Sequence, residues 1–185
     1  MKRTISLIFA LVLALSAVCC AASAEETFKT PYFTLTMPSG WLIDTSEAEA
    51  AVNKDGEQFL GLFGDSAAIG LVVEADLVVY DELKDVSLWN YSEAELKDYA
   101  DSVMEEFEGE NPEYLGVVKA GNIPFVLIKA TDEDGDYLYA DTMTNGCAIM
   151  LCAYVTDEEA ETMYPITKEH IEQFKSILTT FQPVS

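Results

Sequence analysis

Beyond its third residue this chain contains no arginine, and it has a single histidine, His170, in 185 residues. Lys2 and Arg3 lie in a segment expected to be removed, which leaves 8 lysines against 33 acids and a formal charge of −25. Nucleic acid is therefore a poor partner, since binding it depends on neutralising phosphates with Lys and Arg. Anionic membrane surfaces are disfavoured for the same reason. With one histidine and four cysteines, no His or Cys grouping has transition-metal ligand spacing, and there is neither a C-x-x-C pair nor a glycine-rich phosphate loop. No cofactor is expected. The acidity itself reads as a solvated surface that keeps an exported protein soluble.

What is present begins with MKRTISLIFALVLALSAVCCAASA: two basic residues, an apolar run from Ile5 to Val18, and Ala22-Ser23-Ala24 before Glu25. This is the pattern of a secretory signal peptide with an A-x-A cleavage site. An uncleaved anchor is the rival, because Ile5 to Ala24 approaches the roughly 20 apolar residues that span a bilayer. A lipoprotein fits poorly, as neither Cys19 nor Cys20 follows a suitable tripeptide. Residues 25–185 are then expected to form a single domain, secreted or otherwise extracytoplasmic and monomeric.

Cys147 and Cys152 remain after cleavage, inside NGCAIMLCAYV. On a strand, five residues separate their Cα atoms by about 16 Å and turn the side chains to opposite faces. A disulfide needs roughly 7 Å or less. Both are expected to be buried thiols, so the fold does not rest on a disulfide framework.

Phe33, Leu35 and Met37 alternate with Thr34 and Thr36 as in a strand with one wet face, and Pro38-Ser39-Gly40 turns into Trp41. Apolar runs near residues 58–63 and 68–79 flank Gly64-Asp65-Ser66, where a tight connection belongs. Ser46 to Asn53 is ambiguous between helix and strand. Ser92 and Glu95 form a capping box, followed by Leu96, Tyr99, Ala100, Val103, Met104 and Phe107 at helical spacing. Four strand runs follow, the last two joined by Asn145-Gly146, the strongest hairpin signal in the chain. A final helix is expected from about Pro165, with Ile171, Phe174, Leu178 and Phe181 on one face. Both alternating faces are apolar in Ile123 to Ile128 and in Cys147 to Val155, so these strands need cover on both sides. The expected class is α/β (α+β), an antiparallel or mixed sheet sandwiched by helices.

The order YFTLTMPSGW, a Gly-Asp turn, a long helix, a four-strand meander and the closing IEQFKSILTTF resembles the PsbP-like fold family over most of Tyr32 to Phe181. The resemblance implies an α/β/α sandwich acting as a non-catalytic binding or assembly domain. No family site maps onto this chain residue by residue.

Three features offer chemistry. Gly64-Asp65-Ser66 superficially matches the way one lipase class presents its serine, which makes a small secreted serine hydrolase using Ser66 the alternative function. Serine is a weak nucleophile without a base, and here Thr167, not Asp, stands three residues before His170. His170 itself, four residues from Ile166 and Phe174, reads as packing at a core edge. Asp132, Asp134 and Asp136 alternate as hard-cation ligands do, but glycine falls at the fourth position of this cluster where a calcium loop needs it at the sixth, so a turn is the better reading and a weak calcium site the lesser one. Tyr80 to Tyr91 is long for a loop and carries Trp89; it is either an interaction surface or a segment folded back through Leu83, Val86, Leu88 and Trp89. The functional expectation is an exported binding or accessory module for an unidentified protein or cell-envelope partner.

Export is expected to release a form whose intact mass begins at Glu25. A retained Met1 in a membrane fraction would overturn the signal-peptide reading.

Overall fold

The structure, a computed structural model, describes residues 25–29, 32–44, 57–65, 69–107, 109–157 and 163–184. The expected signal segment and the ambiguous Ser46 to Asn53 lie outside the described residues. In chain order the elements are β1 (Glu26–Lys29), β2 (Phe33–Met37), β3 (Trp41–Asp44), β4 (Glu57–Asp65), β5 (Ile69–Val79), α1 (Glu93–Glu105) and β6 (Glu113–Ala120). They continue as β7 (Ile123–Thr131), β8 (Asp136–Thr144), β9 (Cys147–Asp157), β10 (Met163–Tyr164), α2 (Lys168–Leu178) and β11 (Gln182–Pro183).

The chain folds as an α/β sandwich around an eight-stranded sheet ordered β3-β4-β5-β9-β8-β7-β6, with β10 on β9. Every described pair is antiparallel. Two meanders, β3-β4-β5 and β6-β7-β8-β9, meet where β5 pairs β9 through eleven facing residues, from Ile69 opposite Asp157 to Val79 opposite Cys147. The Asn145-Gly146 turn has φ of 51° and 75°. Positive φ at both central residues is the twist-matched two-residue hairpin geometry, and it locks the β8–β9 register.

The inner face of the sheet carries Val73, Ala75, Leu77, Phe125, Leu127, Leu138, Ile149, Leu151 and Val155, all fully buried. They are covered by Phe33, Leu35 and Met37 of β2 and by Phe174, Ile177 and Leu178 of α2. This layer is a helix plus a three-stranded sheet, β1-β2-β11. Phe181, just past α2, stacks on Phe33 at 5.2 Å between ring centres and meets Phe125 edge-on at 5.0 Å. On the outer face α1 packs Ala100 and Val103 over Val126 and Ile128.

Both helices begin at capping boxes. In α1 the Glu95 backbone N–H donates to Ser92 Oγ at 3.4 Å, and the Ser92 N–H donates to the Glu95 carboxylate at 2.7 Å. In α2 Thr167 Oγ1 accepts the His170 N–H at 3.3 Å, and the Thr167 N–H donates to His170 Nδ1 at 3.2 Å. The second box moves the helix start from the expected Pro165 to Lys168, because Thr167 supplies the cap and an imidazole takes the place usually held by Glu or Gln. His170 is accordingly a capping group, not merely packing.

No disulfide joins the two cysteines. Cys147 is in the inner core and Cys152 packs on the outer face, as a straight strand requires. Cys152 is only half-buried, contrary to the expectation for both, because side chains rather than a helix cover its part of the outer face. Burial also pushes the Cys147 thiol up to about 11, which lowers its reactive thiolate fraction further. A thiol reagent applied to the native protein should therefore modify Cys152 well before Cys147, with both complete after denaturation. Peptide mapping of a partial reaction checks the order, and equal rates would contradict this packing.

Candidate functional site

Ser66 lies outside the described residues. Its flanks do not: β4 ends at Asp65, β5 begins at Ile69, and the two are antiparallel neighbours with Gly64 opposite Val72. Gly64 and Asp65 are thus the last two residues of β4, whose antiparallel neighbour β5 follows it in the chain.

The carboxylates of Asp132 and Asp136 in the 132–136 turn are committed to local partners. Asp132 Oδ1 accepts the backbone N–H groups of Asp134 at 2.8 Å and Gly135 at 3.0 Å, the hydrogen-bonded Asx turn expected of Asp there. Asp136 accepts the Thr131 hydroxyl at 2.7 Å and pairs with the Lys129 ammonium at 2.7 Å. Lys129 first, helped by Thr131, holds the Asp136 carboxyl below its ordinary range. Among the described residues no three His, Cys, Asp or Glu side chains come together as a metal ligand set.

Segment 80–91 is clamped onto the β8–β9 turn. The Tyr80 N–H donates to the Gly146 carbonyl at 2.8 Å, and the Gly146 N–H donates to the Val86 carbonyl at 3.1 Å. Ser87, 3% exposed, accepts the Asn145 N–H at 2.8 Å and donates to Asn145 Oδ1 at 3.3 Å. Two short 3-10 turns, Asp81–Leu83 and Leu88–Asn90, complete it. The segment divides the two readings offered by its sequence: Leu88 is buried and Leu83 and Val86 are half-buried, whereas Trp89 is 42% exposed. Tyr80 at 38% and Tyr91 at 37% join Trp89 among the large exposed apolar side chains. Buried backbone clamps thus hold exposed aromatics in place.

A second constellation lies under α1. Asp141, 5% exposed on β8, accepts from the hydroxyl of Tyr99 on α1 and from that of Tyr139 at 3.3 Å. Burial dominates and raises its carboxyl to about 7; the two tyrosines pull it back and the Glu106 charge pushes it up. Burial likewise raises Tyr99 and Tyr139, with the Asp141 charge adding to the effect. Nearby, Tyr137 donates to Glu110, and Tyr154 donates to Glu74 at 2.7 Å. Phe107 lies edge-on against Tyr139, with ring centres 5.0 Å apart. The sequence carried a signal for this cluster that motif reasoning passed over. In Tyr137, Tyr139 and Asp141 at alternate positions, an acid sits on an otherwise apolar strand face, where no charge is expected without a partner.

No family model and no curated protein matches the chain. Among solved structures, a protein from Bacteroides thetaiotaomicron VPI-5482, determined at 1.50 Å resolution, aligns at 12% identity and a TM-score of 0.44, over 89% of this chain and 50% of its own. This chain thus spans about half the length of that neighbour, and a likeness at that level carries nothing about function.

The clamp has a single-residue test. A Cβ on Gly146 would stand 2.7 Å from both the Lys84 nitrogen and the Tyr80 carbonyl oxygen, at a backbone φ of 75°. Those neighbours are backbone and cannot swing away, so Gly146→Ala is expected to cost more than about 2 kcal/mol in urea unfolding. A change under about 0.5 kcal/mol would show that the clamp does not hold the segment.

Proposed function

We propose that this protein is an exported, non-catalytic binding or accessory module that engages a protein partner of the cell envelope through Tyr80, Trp89 and Tyr91. The observation that carries the reading is the exposure of Trp89 on a segment whose backbone is fixed by the Asn145-Gly146 turn. Large aromatics dominate binding energy at protein interfaces, and Tyr and Trp suit them because one end is apolar and the other can hydrogen-bond. A surface already held in one conformation also loses less entropy on association. The exposed Asp81, Glu82 and Asp85 beside it favour a partner whose rim is basic. A binding module of this kind accords with what the PsbP-like resemblance implies, and needs no reaction at Ser66.

The test begins with affinity capture from the producing cell's envelope, followed by titration of the purified partner against wild type and a Trp89→Ala/Tyr91→Ala double variant. The variant should keep its far-ultraviolet circular dichroism and lose at least about tenfold in affinity, the effect of removing an aromatic hot spot. Unchanged affinity would remove these residues from the interface. A fluorophosphonate that labels wild type but not Ser66→Ala would replace the module with the hydrolase.

A further inference from the structure

We infer that Asp141 is a proton-operated latch between α1 and the sheet: protonation of its carboxyl group tightens α1 onto the outer face, and loss of that proton loosens it. The inference stands apart from any partner at Trp89.

The geometry begins with placement. Asp141 is on β8, next to the β7 and β9 strands, where its register partners are the apolar Val126 and Met150. Its outer neighbour is α1, which reaches it through Tyr99. The titratable groups acting on it are Tyr99 and Glu106 from the helix side and Tyr139 from its own strand. None is cationic, and the described ion pairs of the chain all lie elsewhere, at Lys97–Asp101, Lys129–Asp136 and Lys175–Glu172. Among the described residues, the neutral hydroxyls of Tyr99 and Tyr139 are what offsets a carboxylate charge in this site.

A neutral acid at this depth costs little beyond its hydrogen bonds, whereas an ionised one lacking a cation favours any opening that lets water reach it. The carboxyl with a helix lying over it therefore binds its proton more tightly than the same carboxyl in an opened or unfolded chain. With the closed-state value raised to about 7, the native state holds the extra proton from roughly the ordinary Asp pKa of 3.9 up to that point. Stability of the closed helix is greatest at the acid end of that window, falls as pH rises through it, and is flat beyond. Other acids of this strongly negative chain also respond to pH, so the comparison must isolate Asp141.

The experiment is amide hydrogen exchange of α1 in the exported protein at pH 5.5 and 8.5, corrected for the intrinsic base-catalysed rate, in wild type and Asp141→Asn. In wild type the opening equilibrium should rise on the order of 10- to 30-fold across that interval, and in the variant most of this rise should vanish. Carboxyl carbon NMR of wild type reads the same proton directly, and needs no variant to fold. Tyr99→Phe adds a readout that a purely structural role would not move: removing a donor to the charged form should shift the Asp141 midpoint upward. An Asp141 midpoint near 4, an undiminished pH dependence in Asp141→Asn, or an unmoved midpoint in Tyr99→Phe would each overturn the latch.

Discussion

The long pairing of β5 with β9 is what the rest of the structure answers to. Eleven residues of each strand face one another at the middle of the sheet, so both strands have neighbours on both edges; β9 is apolar on both faces, while β5 is apolar inside and turns Glu74 and Asp76 outward. The backbone polar groups are satisfied within the sheet, and the remaining problem is cover. On the inner side that cover is thick: Phe33, Leu35, Met37, Phe174 and Leu178 are fully buried against Val73, Ala75, Leu77, Ile149 and Leu151. Side chains of that size contribute roughly 1.5–3 kcal/mol each when buried. The inner layer therefore supplies most of the stability. Thr142 and Thr144 are the exceptions on β8, with hydroxyls that are buried and lack a partner among the described residues.

The outer side has to be covered with a different material. The two meanders put β5 at the centre and β6 at the edge, so the connection between them passes over the outer face, and α1 lies in that connection. One helix of 13 residues buries only Leu96, Ala100 and Val103 fully. Tyrosines take up the remaining area, and their hydroxyls end on carboxylates: Tyr99 and Tyr139 on Asp141, Tyr137 on Glu110, Tyr154 on Glu74. A chain with nine lysines and one arginine against 33 acids has few cations to place beside a buried acid. A phenol solves both needs, since its ring covers apolar surface and its hydroxyl donates to the acid at the ring's far end. It does not neutralise the charge, so burial still raises the Asp141 carboxyl although both tyrosine hydrogen bonds pull it down.

Much of the architecture was legible because it is written in short-range patterns. Alternation in β2, the Ser92–Glu95 box, the Asn145-Gly146 turn and the two-faced apolar character of β7 and β9 each occupy a few consecutive residues. They survive in the fold where the sequence places them. The inner three-stranded sheet was not legible, because β1 has four residues and β11 two, too few to show a period. Helix α2 starts three residues beyond Pro165, because Thr167 caps it and histidine fills the place that Glu or Gln holds in a familiar box. The clamp of Ser87 on Asn145 joins residues 58 apart, and Tyr99 reaches Asp141 across 42. No local pattern encodes such contacts; they exist only after the sheet has brought the partners together.

These features converge on one layer. The segment after β5 is pinned to the β8–β9 turn, exposes Trp89 and Tyr91, and passes within two residues into the cap of α1 at Ser92. The helix then crosses Asp141 and ends in Glu105 with no basic residue in its last turn. Its acidic C-terminal turn opposes the helix dipole instead of complementing it. The outer layer therefore combines the thinner apolar contact, an uncompensated carboxylate and an unfavourable helix end, while the inner layer has none of the three. Elements that move or bind are drawn from the less stable parts of a fold. In this protein that part is the crossover from Tyr80 to Glu105, which carries the exposed aromatics and, through Tyr99, lies over the buried acid of β8.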